Sequence, residues 1–402
     1  MSKKPILNLN RREFMRQSLS YFSALLAYPI ANNALADQIP DKIFSHSHLL
    51  SLGPLQKADK NGCCLPKGFT SKIIARSSKR VVTNNRFKWH WAPDGGACFA
   101  MDDGGWVYVS NSEVPYFGGC SAIRFDQDAN VTGAYPILNG TSRNCAGGST
   151  PYGTWLSCEE NGDEGRVFEC DPSGKQQAIE RASLGYFNHE AVAYDTNEHI
   201  LYLTEDKSDG GLYRFIPKRL NENGFADLSS GQLQIMFVDN AQQVTWQALP
   251  DPQAQHSPTR YQVKGSKAFN GGEGIAYHQG KIAFTTKGDN RVWVYEPQNN
   301  SLNVLYDNAT SANPILSGVD NMTVNFAGDY LIAEDGGDMQ LVVLNQTGQL
   351  APLVSLQGHE DSEITGPAFS PDGKHLYFSS QRGASGFMNG GMTFQISGPF
   401  FD

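Results

Sequence analysis

The densest run of chemistry-bearing residues is Asn144-Cys145-Ala146-Gly147-Gly148-Ser149-Thr150-Pro151-Tyr152-Gly153-Thr154-Trp155-Leu156-Ser157-Cys158-Glu159-Glu160-Asn161. It combines a thiol, a Gly-Gly pair that lets backbone come close to a ligand, and a short strand-like Trp155-Leu156-Ser157 ending in two carboxylates. Cys145 has three chemical readings here: a thiolate metal ligand, a nucleophile, or half of a disulfide with Cys158. Elsewhere a carboxylate stands at the entry of a recurring phrase, as Glu190, Glu273 and Asp320, and one phrase later as Glu363. A second acidic set follows the paired strand of such phrases: Glu205-Asp206, Glu334-Asp335, and Glu113 after Val107-Tyr108-Val109.

Short β-branched and aromatic runs separated by Gly, Asp, Asn and Pro must position these groups, and they predict strands. The runs are Trp106–Ser110, His199–Thr204, Lys281–Thr286, Val292–Tyr295, Tyr330–Ala333, Leu341–Leu344 and His375–Ser380. The clearest phrase, from Gly366 to Ser380 through Ser370-Pro371-Asp372-Gly373, reads as one hairpin of a propeller blade. Looser copies run from Glu190 to Thr204, Glu273 to Thr285 and Asp320 to Glu334. Such repeats predict an all-β fold, a β-propeller with insertions between blades. A sandwich would also hold regular strands, but it gives no reason for an acid to recur at one place. In a propeller, equivalent positions converge on the central channel. Carboxylates gathered there cannot all stay ionised without a cation. Hard oxygen ligands in that number select Ca²⁺, Mg²⁺ or oxidised iron.

The 402 residues are 40% hydrophobic and 18% charged, with 41 Gly and 20 Pro, which fits a turn-rich packed domain. A net charge of −9 argues against a nucleic-acid partner. An acidic protein that acts on anions needs local positive charge, most simply from metal ions. Residues 1–36 read as a signal peptide, with Arg11-Arg12-Glu13-Phe14, a mildly apolar Ser18–Ile30 and Ala34-Leu35-Ala36. The paired arginines point to twin-arginine export machinery as a partner and to a periplasmic or secreted product. The apolar segment is too short for a membrane anchor. Residues 37–402 then form a single propeller domain with an N-terminal extension, expected as a monomer. Seven cysteines (Cys63, Cys64, Cys98, Cys120, Cys145, Cys158 and Cys170) leave at least one thiol unpaired or ligand-bound in an oxidising compartment. Adjacent Cys63 and Cys64 are poor partners for each other.

Several motifs resemble the PhoX family of bacterial alkaline phosphatases. The segment Asn144–Asn161 is similar to its cysteine signature, with Tyr152 in place of a Trp. Leu184-Gly185-Tyr186-Phe187-Asn188-His189-Glu190 resembles a second motif, and Glu205-Asp206 with Gly211–Phe215 a third. Asp320-Asn321, Thr365-Gly366-Pro367 and Phe369–Gly373 match the C-terminal ones; Asn111-Ser112-Glu113 corresponds to Asn-His-Glu in relatives. The resemblance runs in order from about residue 85 to 385. It implies six blades, a mixed Fe³⁺ and Ca²⁺ cluster in the channel, and a small phosphorylated substrate. Carried over, Cys145, Glu190, Glu273 and Asp320 are the cluster and catalytic residues, with Glu159, Asp206 and Glu113 as neighbouring ligands. That role keeps Cys145 unpaired and leaves six cysteines free to pair.

One departure bears on substrate binding. Relatives carry Arg-Pro-Glu-Gly where this chain has Gly271-Gly272-Glu273-Gly274, and Gly does not replace a phosphate-binding guanidinium. Arg143 and Arg382 lie near motif segments but read as surface residues. The expected function is a metal-dependent phosphomonoesterase. The alternatives are a related metallo-propeller hydrolase acting on a phosphodiester or lactone, and a non-catalytic calcium-binding propeller.

Overall fold

The structure is a computed structural model and describes residues 47–401. The expected signal peptide lies outside these residues. Within them there are short 3₁₀ turns but no α-helix, so no helix is long and apolar enough to cross a membrane.

Six antiparallel sheets form the six blades of a β-propeller. The blades begin, from the channel outward, with the strands Pro93–Ala100, Asn144–Ser149, His189–Tyr194, Gly272–His278, Val319–Val324 and Ile364–Phe369. Each innermost strand packs on the next, and the sixth packs on the first, so the ring is closed. Closure removes the exposed edges that would arise from six separate sheets. Large side chains fill the spaces between blades. Leu156, Phe187, Leu203, Tyr213 and Phe215 pack between the second and third, and Tyr202, Phe284 and Trp293 between the third and fourth.

The N-terminal segment completes two blades. Thr70–Arg76 pairs with Met392–Ser397 as the outer strand of the sixth, and Cys63–Cys64 pairs with the outer strand of the fifth. The sixth blade thus joins both ends of the domain. Six of the seven expected strand runs lie inside observed strands. The seventh begins at Leu201 instead of His199, because His199 takes φ +57 in the preceding turn.

Every innermost strand is bulged near its channel end. The register slips between Pro93 and Gly96, Asn144 and Gly147, His189 and Val192, Gly272 and Ile275, Val319 and Met322, and Thr365 and Ala368. A bulge frees residues from the ladder and re-aims their side chains. Contacts from adjacent blades hold the freed backbone. Asn111 Nδ2 donates to the carbonyls of Cys145 (3.1 Å) and Ala146 (2.7 Å), and Thr204 Oγ1 donates to Glu273 O (2.6 Å). Thr285 Oγ1 donates to Asp320 O (2.7 Å), and Thr365 Oγ1 to Pro93 O (2.8 Å).

Gly147-Gly148 is required by this packing. A Cβ on Gly148 would stand 1.9 Å from Val192 O in the third blade, and one on Gly147 2.0 Å from Leu156 O. Gly148→Ala is therefore expected to destabilise the fold by about 3 kcal/mol or more, through a backbone clash that no side-chain rotation relieves. Gly153→Ala, at φ +85 with open space around it, should cost only about 1 kcal/mol. Urea unfolding of the two variants checks the difference, and equal midpoints would refute it.

Candidate metal centre

The bulges place one residue per blade at the channel. Asp94, Cys145, Glu190, Glu273 and Asp320 each follow the last paired residue before the slip. The sixth blade has Gly366 at that place, at φ +59, where a Cβ would stand 2.7 Å from Asp94 O. Its carboxylate comes instead from Glu363, just before the strand.

The second strand of each blade supplies an outer position. The N–H groups of Glu113, Glu160, Asp206, Lys287 and Asp335 donate to the carbonyls of Ala92, Arg143, Asn188, Gly271 and Gly318, respectively. These five residues, together with Gln381 of the sixth blade, whose N–H donates to Glu363 O, are therefore equivalent in register. Alternation along a strand turns the preceding residue away from them. Glu159 accepts from the Ser142 N–H at 2.8 Å, Glu205 from Gly211 N–H and Tyr213 O–H, and Glu334 from Ser317 and Gln340 N–H. These three carboxylates cap loops.

Potential ligand atoms gather in four overlapping groups, each within 4.8 Å: Asp94, Glu113 and Cys145; Cys145, Glu160 and Glu190; Glu190, Glu273 and Asp320; Asp320, Asp335 and Glu363. Five residues anticipated from sequence (Cys145, Glu190, Glu273, Asp320 and Glu113) thus come together. Asp206 lies beside them, close enough to repel Glu160 and Glu273. Glu159 does not join; its neighbour Glu160 does, because a shift of one residue reverses the side-chain direction. Glu363 and Asp335, read from sequence among the recurring acids but not among the carried-over ligands, join the ring, as does Glu160; Asp94 was not anticipated at all. Asp94-Gly95-Gly96 ahead of a strand was the available signal for it.

Burial and mutual repulsion set the electrostatics. Glu190 is wholly buried, and neither oxygen has a hydrogen-bond partner. Its pKa is pushed well up by burial and by Glu273 and Asp320. Burial likewise raises Asp94, Glu273 and Glu363, with Asp320 adding to each, and raises Glu160 to about 7. The Cys145 thiol is held up by burial and by Asp94 and Glu190. Such a donor set, a thiol among oxygen ligands with a partnerless buried carboxylate, fits bound cations.

All seven cysteines are free thiols. Cys145 faces the acidic ring, whereas Cys158 packs between the second and third blades, so the two do not pair. Nor do the other six form pairs: Cys63, Cys98 and Cys158 pack against different apolar clusters, and Cys120 and Cys170 share one as free thiols. Arg382 is no free surface residue: its Nη2 lies 2.8 Å from Glu363 Oε1. Arg143 donates to Asn161 Oδ1 at 3.1 Å.

The family model described as alkaline phosphatase PhoX matches residues 117–314. Over that segment the chain is similar to the PhoX family. The matched segment carries Cys145, Glu190 and Glu273, while Asp94, Asp320 and Glu363 enter the ring from outside it. No curated protein matches the chain. Among solved structures, a gluconolactonase from Xanthomonas campestris is 11% identical with a TM-score of 0.50, over 86% of this chain and 98% of that one. A Bacteroides thetaiotaomicron protein of unknown function is 12% identical with a TM-score of 0.48, over 82% and 76%. The gluconolactonase likeness is one of fold.

The raised carboxylates give the metal-free chain a definite pH dependence. Above about pH 4.5 the unfolded chain has released protons that folded Glu190, Glu273 and Glu160 still hold. Stability is then greatest below that range and falls as pH rises through the folded values, with Glu160 marking about 7. In EDTA the protein should melt about 5 °C or more lower at pH 8 than at pH 5.5, and calcium should narrow the gap. Circular dichroism melts in EDTA that instead rise with pH would contradict this electrostatic account.

Proposed function

We propose that this chain is an exported metal-dependent phosphatase that hydrolyses phosphate monoesters at an iron and calcium centre in the propeller channel. One observation carries the reading: Glu190 is fully buried with both oxygens partnerless, beside Cys145 in a closed ring of carboxylates. The PhoX family match supports the phosphatase class. Cys145, with Asp94, Glu113, Glu160 and Glu190, would hold iron, since a thiolate among carboxylates suits oxidised iron. The oxygen-only group of Glu190, Glu273 and Asp320 suits calcium. Bound there, the metal ions would supply the positive charge that phosphoryl transfer requires.

The chain's own residues tune that centre. Asn111 fixes the Cys145 bulge through two donated hydrogen bonds, and Trp155 and Ser157 fix Asn111 by donating to its Oδ1 at 3.0 and 2.8 Å. Gln381 Nε2 holds Asp94 and Glu113 together, at 2.5 and 2.8 Å. Asn188 Nδ2 orients Glu160 at 2.9 Å. Residues 1–36 support export by the twin-arginine route.

A second reading is a related metallo-propeller hydrolase with a phosphodiester or lactone substrate. The absent guanidinium favours it. Gly271 takes φ +72, and a Cβ there would stand 3.1 Å from Asp206 Oδ1, so an Arg could not enter without strain.

Protein purified from the periplasm should contain iron and calcium and release phosphate from p-nitrophenyl phosphate. The bis(p-nitrophenyl) ester and a gluconolactone serve as the competing substrates. Turnover of either competitor in preference to the monoester would replace the first reading with the second. Cys145→Ser should lower bound iron and reduce kcat/KM at least about tenfold, or about 1.4 kcal/mol. Full iron and normal activity in that variant would remove Cys145 from the centre. Glu190→Gln and Glu273→Gln should each lower metal content, and their effects should be strongly non-additive, as for members of one site. Additive losses would show two independent sites.

A further inference from the structure

Four of the six register-equivalent outer positions hold carboxylates, Glu113, Glu160, Asp206 and Asp335, and the sixth blade holds the amide Gln381. The fourth blade holds Lys287. Its Nζ lies 2.9 Å from Asp320 Oδ2, 3.1 Å from Glu273 Oε1 and 3.4 Å from Asp335 Oδ2. One ammonium therefore reaches inner carboxylates of its own and the next blade, and the outer carboxylate of the next blade.

We infer that Lys287 is a resident cation of the Glu273–Asp320–Asp335 corner, built into the sequence where four of the other five blades offer a carboxylate, and that it keeps the Asp335 side of this corner closed to a further divalent ion, beyond the one that Glu190, Glu273 and Asp320 would share. The inference rests on reading the ring as a metal centre. It deepens that reading by limiting Glu273 and Asp320 to that one shared ion, with the chain itself neutralising the Asp335 side.

Three observations carry it. Changing a carboxylate to an ammonium at that position both removes a ligand and adds a fixed positive charge, so the corner loses affinity twice over. The contacts are those of a counter-ion: three oxygens from three residues converge on Nζ at ion-pair distance, and among the described residues no other lysine or arginine pairs with these three carboxylates. Finally, the two sides of the ring differ. Glu190, in one group with Glu273 and Asp320, has neither a hydrogen-bond partner nor an ion-pair cation for either oxygen, whereas Glu273, Asp320 and Asp335 each stand at ion-pair distance from Lys287, even though Glu273 Oε1 makes no hydrogen bond. Arg382 extends the neutralised side by pairing with Glu363 at 2.8 Å. Burial alone would depress the lysine; the Asp320, Glu273 and Asp335 carboxylates override it and keep it charged.

Gly271 adjoins this arrangement. Lys287 N–H donates to Gly271 O at 2.8 Å, and a Cβ on Gly271 would stand in ordinary van der Waals contact with Lys287 Cβ, at 3.7 Å.

The test measures calcium bound by the full chain after chelation and reloading, by elemental analysis and isothermal titration calorimetry. Wild type is compared with Lys287→Met, Lys287→Arg and the double variant Lys287→Met/Asp335→Asn. Lys287→Met should bind one more calcium ion per chain than wild type. Lys287→Arg, which keeps the charge, should bind the wild-type number, and the double variant should lose the added ion. In EDTA, Lys287→Met should melt below wild type, and millimolar calcium should restore it. Equal calcium in wild type and Lys287→Met would overturn the inference. So would a Lys287→Met protein that fails to fold even when refolded in calcium, because a divalent ion would then not substitute for the ammonium. The readout needs no turnover: an added calcium ion without phosphatase activity sinks the proposed reaction alone, and equal calcium with activity sinks this inference alone.

Discussion

Repulsion among buried carboxylates is the constraint on which the rest of this structure turns. Eight carboxylates and one thiol lie in overlapping groups at one end of the channel. Two like charges 4 Å apart repel by about 4 kcal/mol at the effective dielectric of a protein interior near its surface. A ring of eight cannot be ionised together on those terms. Protons, fixed cations or metal ions must share the load. The raised pKa values of Asp94, Glu190, Glu273 and Glu363 express the proton solution, and Lys287 and Arg382 the fixed-cation solution. The partnerless oxygens of Glu190 mark the place where neither suffices.

The scaffold tolerates this concentration of charge because the energy that holds it together lies elsewhere. Apolar side chains fill the spaces between blades, and closure joins the sixth blade to the first through Thr70–Arg76. The bulges then present ligand positions without disturbing that packing, since each frees only the residues next to the channel. Hydroxyl and amide groups from adjacent blades hold the freed backbone, so the ring is positioned by its neighbours and not by its own electrostatics. A local rule is broken at one place in every blade, and the surrounding structure compensates for it.

The gluconolactonase shares this architecture at 11% identity, and that separates fold from chemistry. A six-bladed ring offers equivalent positions at its centre, and what it does depends on which side chains occupy them. In this chain the fourth blade differs from its neighbours at the outer position, where Lys287 replaces the acid held by Asp206 and Asp335. The centre therefore carries a fixed lysine charge on this side and unpaired carboxylate oxygens at Glu190 on the other.

The all-β fold and its repeat were legible because strand-forming runs and their turns are local properties, and the entry acids Glu190, Glu273 and Asp320 kept a common offset from those runs. Cys145 stood out for the same reason, within a dense and distinctive segment. What remained hidden was which of two adjacent residues faces the channel: Glu159 and Glu160 are indistinguishable by composition, and only strand register, with its alternation of side chains, turns one to the loop and the other to the ring. Asp94 lay in a phrase without an obvious apolar repeat, and Glu363 stood outside its strand because Gly366 occupies the bulge position. Lys287 was read as part of no site, since its three partners come from Glu273, Asp320 and Asp335, up to 48 positions away along the chain. The sequence by itself determined the blades and most of the residue types at the centre. Only ring closure decided which of them meet, because convergence on a channel depends on the relative placement of all six blades and not on any stretch of chain alone.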